Sequence, residues 1–570
     1  MKSEIKFDII LLVICLSLLY IGGKTTNDLK WPYGLDNFRE IAQTQTILDG
    51  DYGKDPYYLN EHVWYNPGCH FVIGGISLLL NVPVPEGVGK FGAYLNILAP
   101  IAFYIMIRIM FGCTIALTGT TAYLFIINSS YPVWASSLYS PWFFPATFSQ
   151  TFFYITITLF YKAIKTNRGK KYYIATGISL GVTFLFHTAP AFLAGGVISL
   201  FFLGKIVEHF KKHGSSIKSL VPLLKNLLYV IFPALIISMI FLYFIIWHYH
   251  LRIVNVSPTS WEWHQVALKK IPTLLRNEFF QVFSVISIYG LLHLLKKNGD
   301  VEAKKINLFW LVISLGYLIY YFFRISLMDL GANLPLIVPS YHFFFYLKSL
   351  SYVFFGYGTI VIVRMFLKVL EDNIGFFKRW KHKLLNNFPY MRVAVCLLFS
   401  ILLSLYVLNV YSQNKRLLKF RSACLHHMME ADFIKSYYWI RQHTDGNDVF
   451  LCSNEFSMKV VAPAARKVIA TSKYFSNPYV DFNERNFDRN RMFENLKSGN
   501  VRCFVRLCKK YRAKYIITTI SKLKKNHKSY QIFLKKVFKS GDVVILELQL
   551  DKTHVSIGKI FQHNLMEENG

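Results

Sequence analysis

The chain has 570 residues, 53% of them hydrophobic and 17% aromatic, with 64 Lys and Arg against 32 Asp and Glu, a net charge of +32. Fifty Phe, 36 Tyr and 10 Trp exclude a disordered chain, because disordered segments lack aromatics. They also argue against a nucleic-acid binder, which would be richer in charge. Long apolar runs separated by short Lys/Arg clusters instead indicate a polytopic α-helical membrane protein in contact with membrane lipids.

A spanning helix needs about 20 apolar residues. The first run, 7–23, has the look of a signal peptide, but no small-residue cleavage site follows and many runs come after it, so it reads as a retained span. Further spans are predicted at 91–110, 112–129, 146–163, 172–188, 190–205, 226–247, 279–295, 307–325, 344–367 and 393–411. Residues 69–80 are apolar but short, and Pro67 and Pro83 bracket them. Charge decides this run. Connectors 164–171, 205–225, 296–305 and 364–392 are all basic and belong on the cytoplasmic side. All four fall there only if 69–80 stays on the surface. The sequence therefore predicts about 11 spans in the plasma (inner) membrane, with a cytoplasmic N-terminus and an extracytoplasmic C-terminus.

Two domains are expected. Residues 1–411 form a transmembrane module whose outer loop, 24–90, carries surface helices. Residues 412–570 form an extracytoplasmic α/β domain, because helical signals alternate there with β-branched runs at Val449–Cys452, Lys467–Ala470, Lys514–Thr519 and Val543–Leu548. That tail holds 29 Lys/Arg and 14 Asp/Glu, an excess that loop orientation does not explain, because long domains translocate regardless of charge. It predicts contact with anionic headgroups, an anionic glycan or a lipid phosphate. Cys424, Cys452, Cys503 and Cys508 of the tail lack zinc spacing, and an outer location would permit a disulfide among them.

The loop 24–90 runs against the charge of the whole. It holds eight acids and five Lys/Arg. Leu35–Leu48 reads as an amphipathic helix with Asp36, Arg39, Glu40 and Gln43 on one face, turned to water at a membrane surface. At its start, Asp36 also suits the free amides of a helix N-terminus. The helix breaks at Asp49-Gly50-Asp51. Two carboxylates in such a turn can meet one hard cation, Mg²⁺ or Mn²⁺, or be a solvated Asp-Gly turn. Tyr57, Tyr58, Trp64 and Tyr65 follow, as interfacial anchors or as faces for sugar rings.

These residues resemble the GT-C class of membrane glycosyltransferases, which use polyprenyl-phosphate-linked sugars. The resemblance is to its aminoarabinose- and protein-mannosyl-transferase branch. It rests on one span followed by GLDNFREIAQTQTILDGDY, then NPGCHFVIGGISLLLNV, then a span ending RIMFG at Arg108–Gly112. In the tail, Trp439-Ile440-Arg441 and the stretch Lys510–Thr518 are similar to the relatives' tails. The resemblance implies that Asp36 is the catalytic base or binds near the acceptor. The second acid common in the family is replaced by Asn37, and Glu40 or Asp55 could stand in for it. The loop 130–145 has no acid, which counts against the oligosaccharyltransferase branch.

The implied chemistry is displacement at an anomeric carbon, with a base for the acceptor hydroxyl and cations for the departing phosphate. Arg324, His342 and Lys348 stand near the outer membrane boundary and His187 ends a span, so these with Arg39 are the donor- or acceptor-binding residues to expect. For Arg324 snorkelling to the headgroups, and for His187 capping of a helix end, are the structural alternatives. Walker, Rossmann and HExxH motifs are absent. The predicted activity is transfer of a hexosyl or pentosyl group from a polyprenyl-phosphate donor to a glycan, lipid or protein acceptor, in cell-envelope glycan biosynthesis. A transporter or flippase of lipid-linked glycans, or a non-catalytic assembly protein, is the alternative.

Overall fold

The computed structural model describes residues 5–125, 137–166, 169–213, 220–259, 281–296, 300–331, 338, 341–373, 398, 401–409, 421–422, 425, 430–523 and 533–550. Its main helices are α1 (Ile5–Thr26), α2 (Leu35–Leu48), α3 (Gly68–Leu80), α4 (Leu98–Phe111), α5 (Cys113–Phe125), α6 (Gln150–Lys165), α7 (Gly169–Phe186), α8 (Thr188–His213), α9 (Val221–Tyr243), α10 (Val282–Lys296), α11 (Val301–Asp329), α12 (Tyr341–Asn373), α13 (Ala431–His443), α14 (Phe482–Ser498) and α15 (Val501–Tyr511). The strands are β1 (Val449–Leu451), β2 (Lys467–Val468), β3 (Ala513–Thr519), β4 (Leu534–Ser540) and β5 (Val543–Leu548).

The chain forms two compact units. The first comprises Met1–Leu29, Gly89–Ile240 and Ser260–Ser422, and the second Lys30–Val88, Phe241–Thr259 and Ala423–Gly570. This grouping differs from the expected boundary at 411. The first loop lies with the tail, because its residues are hydrogen-bonded into the tail's sheet rather than merely carried by the helices that flank it.

The first unit is a helical bundle. Among the described residues six helices are long and apolar enough to cross a membrane, namely Ile5–Thr26, Val84–Phe111, Thr188–Lys211, Val221–His248, Val301–Arg324 and His342–Leu370. The chain is an integral membrane protein. Side chains such as Leu12, Phe232 and Ile319 are exposed along these helices, as lipid-facing residues are. The spans expected at 112–129, 146–163, 172–188 and 279–295 fall on α5, α6, α7 and α10, which are shorter or less apolar. Parts of the span expected at 393–411, of 130–145 and of 364–392 fall outside the described residues, as does Cys424.

Inside the bundle, Trp310, Tyr123, Tyr154, Phe103 and Phe153 are fully buried. The hydroxyl of Tyr154 donates to Ser349 Oγ at 3.0 Å, and Tyr123 Oη lies 2.9 Å from the same oxygen, so these two tyrosines keep their polar tips paired. Glycines let α12 approach two neighbours at once. A Cβ on Gly119 of α5 would stand 2.9 Å from the Tyr352 carbonyl oxygen, and one on Gly356 would stand 2.8 Å from the Gly119 nitrogen. On the other flank, a Cβ on Gly358 would stand 3.0 Å from the Gly290 nitrogen of α10. Small residues at both seams allow the backbones to touch.

The second unit is built on a five-stranded sheet in the order β2-β1-β3-β5-β4. Strands β1, β2 and β3 are parallel, and β5 runs antiparallel between β3 and β4. Four of these strands lie where β-branched runs predicted them. Strand β4 was not predicted, because its three lysines break the apolar pattern. It is an edge strand, where exposed lysines are the usual protection against further pairing. Phe504 and Leu507 of α15 and Met492 and Leu496 of α14 close the core against Ile516, Val544 and Leu546. Cys452, Cys503 and Cys508 are free thiols.

The first loop is stitched into this sheet. The amide of Val468 in β2 donates to the Tyr57 carbonyl at 2.7 Å, and Leu59 packs on the sheet core. Helix α2 has the predicted limits. Gly34, at φ 105°, turns the chain into it, and Gly50, at φ 83°, turns the chain out.

Candidate active site

The polar face of α2 is not turned to water as expected. Glu40 and Gln43 are buried, and only 12% of the Arg39 side chain is accessible. Asp36 is the exception, with 53% of its side chain accessible in the first turn. Arg39 is the hub. Its Nη2 lies 3.3 Å from Asp36 Oδ1, donates to Glu40 Oε1 at 2.8 Å and donates to Tyr65 Oη at 3.0 Å. The guanidinium also lies over the Tyr65 ring, 4.2 Å from its centroid.

Behind Arg39 the network continues into α3. Oε2 of Glu40 lies 2.5 Å from Nε2 of His70, and both side chains are buried. Burial pulls the Glu40 pKa upward, but the charges of Arg39 and His70 overcome it and hold the carboxyl below its usual value. An ionised Glu40 accepts, so Nε2 of His70 donates. Nδ1 of His70 has no hydrogen-bond partner among the described residues. At Asp36 the balance goes the other way. Partial desolvation by the neighbouring protein raises its pKa although half of the side chain stays accessible, Glu40 adds to this, and Arg39 opposes it only in part. The accessible carboxylate is thereby made more basic, while the buried one is kept ionised. Environments that push two neighbouring acids apart are what general-base chemistry requires.

Asp36, Arg39 and Glu40, singled out in the sequence, are brought together here, and His70, which was not, joins them. It sits in an apolar run whose 3.6-residue pattern hides it, and only its place near the start of the α3 segment could have signalled a role. Tyr65 was noticed, but as an interfacial anchor. Tyr57 and Tyr58 are wholly buried, which removes the anchoring role for them.

Asp55, expected as a substrate-binding acid, is wholly buried and serves the fold of the loop. Its Oδ1 accepts the amides of Tyr57 at 2.6 Å and Tyr58 at 3.1 Å, and its Oδ2 accepts Asn477 Nδ2 at 2.6 Å. Lys467 Nζ donates to the Asp55 carbonyl at 2.5 Å. Burial raises the Asp55 pKa to about 6, against the pull of these hydrogen bonds. Burial likewise lowers that of Lys467 to about 8.

The turn acids expected to meet a metal meet cations of this chain instead. Asp49 accepts from both terminal guanidinium nitrogens of Arg441, Nη1 and Nη2, and lies 3.5 Å from Arg466. Asp51 accepts Lys54 Nζ at 2.6 Å. Among the described residues no group of three or more His, Cys, Asp or Glu could hold a metal ion. With both carboxylates already neutralised, these residues do not fit a divalent cation, and no step is derived through one.

In the bundle unit, His187 stands in the break between α7 and α8. Its Nδ1 accepts the amide of Ala189 at 3.2 Å, which caps the start of α8. Its ring lies 4.5 Å from that of His342, a buried residue in the first turn of α12. Lys348 is buried two turns further along, and Arg324 is half-buried near the end of α11. The structure thus brings His187 and His342 together, as one pair within the bundle.

Solved structures share this architecture. The apo structure of ArnT from Cupriavidus metallidurans aligns over 94% of this chain and 97% of its own, with a TM-score of 0.52 at 12% identity. ArnT bound to undecaprenyl phosphate aligns over 95% of this chain and 97% of its own, with a TM-score of 0.50 at 11% identity. The fold is the GT-C fold. The archaeal oligosaccharyltransferase AglB from Archaeoglobus fulgidus aligns over 90% of this chain and 69% of its own, with a TM-score of 0.49 at 13% identity. No protein-family model matches the sequence, and no curated protein matches it. At these identities the likeness is one of GT-C fold alone.

Proposed function

We propose that this chain is a membrane glycosyltransferase that moves a sugar from a polyprenyl-phosphate donor to an acceptor hydroxyl on the outer face of the plasma membrane, with Asp36 as base. The observation that carries the reading is the accessible Asp36 carboxylate, made more basic by its surround and held by an arginine that is itself fixed from behind. The GT-C fold and the six long apolar helices support a lipid-linked donor.

Asp36 takes the proton of the acceptor hydroxyl as that oxygen attacks the anomeric carbon. The bond from that carbon to the phosphate oxygen breaks, and the polyprenyl phosphate leaves with the electron pair. Arg39 orients Asp36, and Glu40 with His70 orients Arg39. In this reading Arg324, His342, Lys348 and His187 supply the cations and donors that hold the phosphate. The N-terminus lies in the cytoplasm and the sheet unit outside.

The Asp36→Asn variant tests the proposal. Lipid-linked and surface glycans are compared by mass spectrometry in cells that carry the wild-type gene, the variant or neither. Loss of a general base lowers transfer by about 10²–10⁴-fold, so the variant should match the deletion. Wild-type glycans in the variant would remove Asp36 from the mechanism.

A further inference from the structure

The sheet unit contains a polar cleft of about 480 Å³. Asn60, Glu61, Tyr479, Arg485, Tyr511 and Arg512 are among its lining residues. It takes no part in the reaction above. Its volume falls in the range of small-molecule sites.

Most charges in the cleft are matched within it. Arg485 lies 3.8 Å from Glu61 and over the Tyr58 ring at 4.3 Å. Lys510 reaches Glu484 and Asp488, each at 2.6 Å. Asp481 caps α14 by accepting the amide of Glu484 at 3.1 Å. Three polar groups remain. The Asn60 amide, the Tyr479 hydroxyl and the Arg512 guanidinium make no side-chain hydrogen bond or ion pair among the described residues. Arg512 also occupies the left-handed position that ends α15, at φ 54°, where glycine is the usual choice. A cation is kept where the backbone would favour its absence.

The helix leading to Arg512 is basic on its outer face. Arg502, Arg506 and Lys509 are exposed, and no acid lies between 501 and 512. Its apolar residues Phe504, Val505, Leu507 and Cys508 are buried in the sheet core. A helix whose apolar face is already used cannot insert that face into a bilayer. The ligand is therefore a soluble anion with many hydroxyls rather than a lipid surface. Guanidinium suits a carboxylate, and amide and phenol groups suit sugar hydroxyls.

We propose that this cleft binds an acidic saccharide through Arg512, Asn60 and Tyr479, as a holding site for the acceptor. The role as acceptor site rests on the glycosyltransferase reading, but the binding itself does not.

The test uses the full chain in phosphatidylcholine nanodiscs without donor. Tetragalacturonate and maltotetraose are titrated by microscale thermophoresis, and vesicles containing phosphatidylglycerol are assayed beside them. Tetragalacturonate should bind, weaken with salt, and exceed maltotetraose by about 10-fold, the scale of one charged hydrogen bond. Arg512→Gly should fold at least as well, because glycine suits that backbone, and should lose about that 10-fold. Equal binding of both saccharides would overturn the proposal. So would no tetragalacturonate binding at millimolar concentration, an unaffected Arg512→Gly variant, or binding to the anionic vesicles alone. The Asp36→Asn glycan comparison reads transfer separately, so failure of one reading leaves the other visible.

Discussion

Nε2 of His70 lies 2.5 Å from Oε2 of Glu40, and neither side chain reaches solvent. Glu40 thus divides its two oxygens between Arg39 and His70. Arg39 still neutralises Glu40 when His70 is removed, but one oxygen of the buried carboxylate then loses its hydrogen bond, at a cost of about 1.5–3 kcal/mol. His70→Ala should show a loss of that order in thermal unfolding of the detergent-solubilised protein. His70→Gln, which keeps a donor, should lose less. Equal stability of wild type and His70→Ala would mean that the pair does not brace Arg39.

Transfer should depend on pH through Asp36. A base acts in its ionised form, and the Asp36 pKa is raised chiefly by its loss of solvent. The rate should therefore climb with pH through an acid limb that lies above the usual carboxylate range. A pH–rate profile under saturating donor checks this, and a limb at ordinary carboxylate pH would count against Asp36.

Asp55 and Lys467 bend the stability of the sheet unit in opposite directions. Folded Asp55 keeps its proton to about pH 6, whereas the ordinary value is 3.8, so stability falls as pH rises between the two. Folded Lys467 loses its proton near pH 8 rather than 10.5, so stability rises again across that interval. Each swing is on the order of 3 kcal/mol. Asp55→Asn should remove the lower slope and leave the upper one. Melting curves over a pH series, followed by tryptophan fluorescence, would reveal either slope.

Asp49 bridges the guanidinium groups of Arg441 and Arg466 and is itself held by them. Asp49→Ala should cost about 1.5–3 kcal/mol, the worth of hydrogen bonds to charged groups. Chelator titrations of transfer should look the same for wild type, Asp49→Ala and Asp51→Ala. A metal response lost in the two variants alone would return the turn to the list of cation sites.

Local pattern carried much of this architecture. Helix α2 runs over the predicted Leu35–Leu48, because a glycine stands at each end and its apolar spacing is regular. Strands β1, β2, β3 and β5 follow their β-branched runs. Pairings across long separations were not legible. Asp49 meets Arg441 and Glu61 meets Arg485, so acids of the first loop find cations of the tail. Composition recorded both excesses, one acidic and one basic, but could not show that they answer each other within one unit. The same limit hid the Glu40–His70 contact, since neither residue is unusual in its own segment. A +32 chain with an acidic loop is thus partly self-neutralised.

The glycine seams on both flanks of α12 have a mechanical consequence. A helix in backbone contact on two sides can neither slide nor roll without driving a carbonyl into a neighbour. His342 and Lys348 therefore ride on a fixed rail, and adjustment there is confined to side-chain rotation.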